Sequence, residues 1–135
     1  MKQYLFTYGM LTNRDVMDPD ARLVGAAVLR DWRFEMLTFA NVHPAVGEVA
    51  EGVLWEVNDF TLEDCDFREG FPTLYDREMV SVEVDGRHYG AWVYTLTESG
   101  RSSYVKGSAS RHYVTTVAEG YLQHGVSVEQ LARAA

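Results

Sequence analysis

The chain has 135 residues, 47% of them hydrophobic, a single cysteine and a formal net charge of -8 at pH 7. A chain of this length buries a core without disulfide or metal staples, so residues 1–135 read as one domain. The lone Cys65 excludes an internal disulfide framework and fits a reducing compartment. The acidic balance argues against a nucleic-acid partner, and with no apolar run of membrane length and no secretion signal the expectation is a cytoplasmic protein off the membrane.

In chain order, residues 4–8 are apolar and β-favouring and break at Gly9, which predicts a first strand ending in a loop, Tyr8-Gly9-Met10-Leu11. A glycine there permits positive φ or close approach of the backbone to a ligand, with consecutive amides free to face an anion. An ordinary strand-end turn fits the same letters. Residues 14–20 are polar and broken by Pro19. Residues 21–37 carry enough Val, Leu, Trp and Phe for one long bent strand or two short ones, bending at Arg30 and Asp31. Turn formers across residues 41–48 predict a loop, one able to lie over a pocket. Residues 49–57 predict a strand with Val53, Trp55 and Val57 on one side.

Residues 58–70 read as a short helix, capped by Asn58 or Asp59 and ended by Gly70, with Pro72 preventing continuation. Its last residue before the glycine is Glu69. Terminal carbonyls at a helix end disfavour an anion, so a carboxyl there holds its proton longer than an exposed one. A plain solvated helix end is the alternative at this point. Residues 78–84 and 87–96 alternate around Asp85-Gly86, a strong two-residue hairpin turn. Residues 98–107 are rich in Ser and Gly and predict a mobile loop. Residues 110–125 predict a helix with Ser110 and Gly125 as caps and Tyr113, Val117, Tyr121 and Leu122 at helical spacing. A last helix runs from Ser127, where Ser127-Val128-Glu129-Gln130 offers a capping box, to about Arg133. Strands first and helices after make the fold class α+β. The histidines at 43, 88, 112 and 124 show no ligand spacing, so no metal is expected.

Three motifs then coincide in order: Tyr8-Gly9-Met10-Leu11, Gly52-Val53-Leu54-Trp55-Glu56-Val57, and the run from Asp66 through Glu69-Gly70-Phe71-Pro72 and Tyr75 to Arg77. Together with the closing run from Tyr113 to Gly120 they resemble the gamma-glutamylcyclotransferase-like family, including its gamma-glutamylamine cyclotransferases. The likeness spans nearly the whole chain. It implies a small mixed β-barrel flanked by helices, with a pocket between the Tyr-Gly loop and the Glu-Gly turn. It also implies Glu69 as the acid/base, Tyr8, Gly9, Met10 and Leu11 as the substrate-binding loop, and Tyr75 and Tyr113 as pocket walls. Met10 stands where family loops commonly carry Ser or Thr, and Cys65 and Arg68 where a leucine and an aromatic are common.

The implied reaction is intramolecular and requires no metal or cofactor. The α-amine of a small γ-glutamyl substrate loses its proton to a carboxylate and attacks the γ-amide, releasing 5-oxoproline and an amine or amino acid. A non-catalytic small-molecule binding module on the same fold is the alternative. A buried Glu69 facing the Tyr8 and Gly9 amides distinguishes the enzyme from the module, in which Glu69 faces bulk solvent.

Overall fold

The computed structural model describes residues 2–134. Five strands, β1 (Gln3–Thr7), β2 (Arg22–Met36), β3 (Ala40–Val57), β4 (Tyr75–Val84) and β5 (Arg87–Leu96), close into a barrel in the order β1-β3-β2-β4-β5. The barrel is mixed: β1 runs parallel to β5 at Leu5–Trp92 and Phe6–Val93, while the other neighbours are antiparallel. Helices α1 (Asp59–Glu69), α2 (Glu98–Ser103), α3 (Arg111–Gln123) and α4 (Glu129–Ala134) pack around it. Closure leaves little unpaired strand backbone on so small a domain. This is the α+β, helix-flanked mixed barrel expected from the sequence.

The long ribbon β2–β3 carries most of the wall. The bend predicted at Arg30 and Asp31 is a bulge: the ladder is in register at Arg30–Val49 and again at Trp32–Pro44, so Asp31 alone faces residues 45–48. Asp31 takes a left-handed φ of 67° and accepts a bond from the Gly47 amide at 2.9 Å. The reading of residues 41–48 as a loop over a pocket is therefore corrected. Asn41 to Pro44 are paired strand residues opposite Arg33–Glu35 and Trp32, and only the bulge behaves as a turn. Ladder pairing overrides turn-forming composition where a long partner strand is available. Alternation also fails in β3: Val53, Leu54 and Trp55 are all fully buried, because both faces of this strand are covered.

Caps fall where the side chains allow. Asn58 Oδ1 accepts from the Thr61 amide at 2.8 Å, and Ser110 Oγ from the Tyr113 amide at 3.1 Å. Asp85 and Gly86 both have positive φ, as a two-residue hairpin requires. Two expectations change. Residues 98–107 are not all loop: α2 forms from residue 98, capped by Thr97, whose amide bonds the Leu74 carbonyl. Leu122, assigned to the buried face of α3, is instead exposed, while Tyr113, Val117 and Tyr121 are buried.

The capping box at Ser127 is only half made. Ser127 Oγ accepts from the Glu129 amide at 3.2 Å, but Gln130 turns inward. It is buried, its Oε1 accepting from the Glu51 amide at 2.7 Å and its Nε2 donating to the Glu51 carbonyl and the Tyr121 hydroxyl, each at 2.9 Å. Gln130 thus supplies a strand edge with side-chain bonds and fastens α4 to α3 and β3. Gln130→Leu leaves both Glu51 backbone groups without these partners, and a loss of about 2–3 kcal/mol is expected in urea denaturation.

Candidate active site

The end of α1 sets the site. Gly70, at φ 68°, closes the helix: its amide bonds the Phe67 carbonyl at 3.2 Å and the Phe71 amide bonds the Asp66 carbonyl at 2.9 Å. Glu69 is the last helical residue before that reversal. The following turn, with a cis Phe71–Pro72 peptide, leads straight into β4 and Tyr75.

An ion pair holds this corner. Arg77 donates to both oxygens of Asp66, Nε at 2.9 Å and Nη2 at 3.2 Å, and Tyr94 from β5 donates to Asp66 Oδ1 at 2.6 Å. The guanidinium also lies 4.4 Å from the centre of the Trp92 ring and 4.9 Å from that of Phe71. The pair is largely buried and fully bonded, the condition under which such a pair fixes geometry. Asp66 and Arg77 belong to the third sequence motif, yet the sequence reading gave them no role. Their spacing is a signal only once the turn at residues 70–74 brings β4 back along α1.

The Tyr8-Gly9-Met10-Leu11 loop is held from the opposite side. Tyr121 donates to the Tyr8 carbonyl at 2.6 Å, and Asn13 donates to the Thr116 carbonyl at 2.9 Å, so α3 seats the loop at two points. Met10–Thr12 form one 3₁₀ turn, in which the Thr12 amide bonds the Gly9 carbonyl at 3.1 Å. The amides of Gly9, Met10 and Leu11 precede that first bond and have no acceptor within the turn, that of Met10 being directed at the Tyr113 oxygen. Gly9 has φ -118°, so it serves close approach rather than positive φ. A Cβ there would stand 2.9 Å from the Tyr113 hydroxyl and 3.3 Å from the Ala40 Cβ.

These pieces line one cavity of about 470 Å³. Glu69, Tyr8, Gly9, Met10, Leu11, Tyr75 and Tyr113 all face it, so every residue named from the sequence is brought together. Their groups are not equally available. Tyr8 spends its hydroxyl proton on the Tyr94 carbonyl at 2.6 Å and Tyr75 on the Ala40 carbonyl at 2.7 Å. Tyr113 accepts from the Ala40 amide at 3.1 Å, which leaves its proton to donate. The cavity also takes Phe6, Thr7, Phe39, Arg68, Leu74, Tyr94 and Tyr104, which the sequence reading did not assign. Tyr104 comes from the stretch read as a mobile loop, and no local pattern marks it.

Glu69 is half-buried and opens onto this cavity rather than onto bulk solvent. Burial pushes its carboxyl from an ordinary 4.5 up to about 7. Burial and then the charge of Glu69 raise the hydroxyls of Tyr8 and Tyr104, and both effects also act on Tyr75, Tyr94 and Tyr113. At neutral pH the cavity thus holds protonated phenols around a carboxyl poised between its two states. Cys65, behind α1, is buried and its thiol is pushed up to about 12. Among the described residues no group of three or more His, Cys, Asp or Glu gathers to hold a metal, and no helix is long and apolar enough to cross a membrane.

Comparison with known proteins gives consistent likenesses. The family model described as "Gamma-glutamyl cyclotransferase, AIG2-like" matches residues 5–115. A protein of Methanocaldococcus jannaschii named "Putative gamma-glutamylcyclotransferase MJ1514" is 30% identical over 107 residues, covering 72% of this chain and 87% of that one. A solved structure named "Gamma-glutamyl cyclotransferase" superposes with a TM-score of 0.84 at 20% identity, covering 99% of this chain and 86% of its own. A yeast structure, described as a gamma-glutamyl cyclotransferase specific to glutathione, gives 0.66 at 14% identity, covering 98% and 94%. At these identities the two structures speak to the fold.

Two outcomes follow from the site. The folded Glu69 binds its proton more tightly than the unfolded chain does, so its stabilising protonation is complete below about pH 4.5 and is lost as pH rises through about 7. Thermal unfolding should show stability falling across that window by on the order of 3 kcal/mol, and Glu69→Gln should remove this fall. Arg77→Met leaves Asp66 charged, enclosed and without its cation, and should cost about 3–5 kcal/mol in chemical denaturation. Adding Asp66→Asn should restore part of that loss.

Proposed function

This chain belongs to the AIG2-like gamma-glutamyl cyclotransferase family, and we propose that its cavity converts a small γ-glutamyl amide into 5-oxoproline and a free amine. The observation that carries the reading is a carboxyl whose burial raises it to about 7 in the same cavity as the Gly9–Leu11 turn, whose first amides find no acceptor within the turn itself. Either feature alone would be ordinary. Together they supply a proton acceptor and a grip for negative charge within one enclosed volume.

The chemistry runs as a proton circuit. A substrate α-ammonium cannot attack until it loses a proton, which it holds to roughly pH 8. Glu69, ionised for much of the neutral range, takes that proton. The freed amine then attacks the γ-carbonyl carbon of its own molecule, and closing a five-membered ring makes the step unimolecular. Negative charge developing on the carbonyl oxygen is met by the amides of the Gly9–Leu11 turn, with the uncommitted Tyr113 proton as a further donor. On collapse the bond from the γ-carbon to the departing nitrogen breaks; that nitrogen takes the proton held by Glu69 and the surplus proton of the ring nitrogen, so the α-ammonium ends as a neutral lactam N–H and the amine leaves as an ammonium. No net proton is gained or lost by the protein.

Met10 fits this scheme, since the turn contributes backbone N–H groups and these do not depend on a hydroxyl at that position. Tyr8 contributes its backbone and ring, its hydroxyl being committed to Tyr94. Tyr75 and Tyr113 hold Ala40 from its two backbone sides and so fix the cavity edge against the turn. That Glu69 opens onto the cavity favours the enzyme over the binding module.

The reading is tested with Glu69→Gln, which keeps the shape but cannot accept a proton. On a panel of γ-glutamyl amides and amino acids, with 5-oxoproline measured by mass spectrometry, kcat should fall by about 10²- to 10⁴-fold. The parent kcat/KM should rise with pH through about 7, the free-enzyme value for Glu69, and the variant should lack that limb. Unchanged turnover in the variant would remove Glu69 from the mechanism.

A further inference from the structure

Arg68 stands one residue before Glu69 on α1, and both line the cavity together with Val16. The Arg68 guanidinium reaches off its own helix: Nη1 donates to the Val16 carbonyl, while Nε lies 3.3 Å from an Asp64 oxygen one turn back. An exposed i,i+4 pair adds little stability, so what Asp64 contributes is the aim of the guanidinium. Val16 is not an isolated acceptor. The Val16 and Met17 amides bond the Asn13 carbonyl at 3.0 and 2.9 Å, and the Asn13 amide bonds the Met10 carbonyl at 3.1 Å, so residues 10–17 form one run of linked turns that begins with the amide turn. Deeper in, Cys65 Sγ lies 4.0 Å from Met17 Sδ, a second contact between the same two segments.

The base and the amides thus sit on different segments, and the Arg68–Val16 bond joins those segments in the wall of the cavity itself. With 44% of its side chain exposed and part of it lining the cavity, Arg68 stands between that cavity and solvent. The titratable groups around Glu69 are uncharged at neutral pH: Tyr8 from the end of β1, Cys65 from α1, Tyr75 from β4, Tyr94 from β5, Tyr104 after α2 and Tyr113 from α3 all hold their protons through burial and the Glu69 charge. Burial, not a neighbouring charge, is what acts on Glu69. Whatever keeps water from it therefore sets how tightly it holds its proton.

Resting on the reaction assigned above, we propose that Arg68 is a positioning residue: its bond to the Val16 carbonyl straps the helix that ends at Glu69 to the segment that begins with the amide turn, and shuts the cavity wall beside the carboxyl against water. Its charge is not what the site uses. Breaking the strap lets water reach Glu69, which favours the carboxylate, and lets the amide turn move relative to it. Removing a nearby cation would act in the opposite sense, favouring the neutral carboxyl.

The test uses that difference in sign. Arg68→Met keeps an apolar stem but has no donor, whereas Arg68→Lys keeps stem, charge and a donor. Because the residue is exposed, both variants should unfold thermally close to the parent. Followed by carbon-13 NMR without substrate, the Glu69 carboxyl of Arg68→Met should titrate on the order of one pH unit or more below the parent value of about 7, towards 4.5, and that of Arg68→Lys should stay near 7. The limb in kcat/KM should move down with the titration in Arg68→Met, and its kcat on the plateau should fall by about tenfold or more with KM little changed. An unmoved titration in Arg68→Met overturns the strap, and an upward one replaces it with a charge effect. An equal fall in both variants also overturns it, since the donor then makes no difference. If the parent yields no 5-oxoproline the reaction fails, while the titration, which needs no turnover, still decides the strap.

Discussion

A single line of hydrogen bonds through tyrosines connects the parts of the site to the body of the fold. Arg77 and Tyr94 donate to Asp66, the Tyr8 hydroxyl donates to the Tyr94 carbonyl, the Tyr121 hydroxyl donates to the Tyr8 carbonyl, and Gln130 donates to Tyr121. The line starts on α1, crosses β5, the loop after β1 and α3, and ends on α4. The hydroxyls of Tyr8 and Tyr121 each fix a backbone carbonyl and that of Tyr94 the Asp66 carboxylate, so each is satisfied and buried polar atoms cost little where they sit. The helix that ends at Glu69 and the turn that offers the amides are held by this one network from opposite sides.

The electrostatics follow from that rigidity. A carboxyl on a free helix end would simply turn to water. Here the helix closes at Gly70, the chain returns along α1, and Glu69 is left facing a volume walled by phenols. The raised pKa comes from desolvation. It was expected from helix-end carbonyls as well, but burial is the cause that acts here. A group held this way is a local cost to stability whenever it is ionised, which is common where chemistry requires a poised acid or base.

Much of this was legible in the letters. Asn58, Gly70, Asp85-Gly86 and Ser110 act locally, through caps and turns, and each element they bound was read near its true limits. Glu69 and the loop at Gly9 were legible as a pair through a family resemblance, not through spacing, since sixty residues of barrel lie between them. What escaped was tertiary. Asn41 to Pro44 look like a turn until a partner strand of matching length is present. Tyr104 follows a Ser-rich stretch that becomes α2, with the Thr97 hydroxyl capping it and the Thr97 amide tied to the distant Leu74 carbonyl. Asp66 and Arg77 were quoted as motif letters without a task, because their contact exists only after the chain reverses between them.

The β2–β3 ribbon does two jobs along its length. Near Val53 and Trp55 it is the fully buried wall of the barrel, and at its far end, past the bulge at Asp31, it delivers Phe39 and Ala40 to the cavity rim. Residues 37–39 lie beyond the last ladder pair, Met36–Ala40. A change of length there would extend or trim the rim without shifting any register in the wall. The other rim residue, Tyr104, likewise sits past the end of α2. The rim is therefore drawn from two chain segments that can be rewritten separately, while the carboxyl and the amide turn are locked into the hydrogen-bonded interior. A change of residue or length at the rim thus leaves the bonded interior untouched, whereas a change at Asp66, Tyr8 or Tyr121 breaks the network that aims the site.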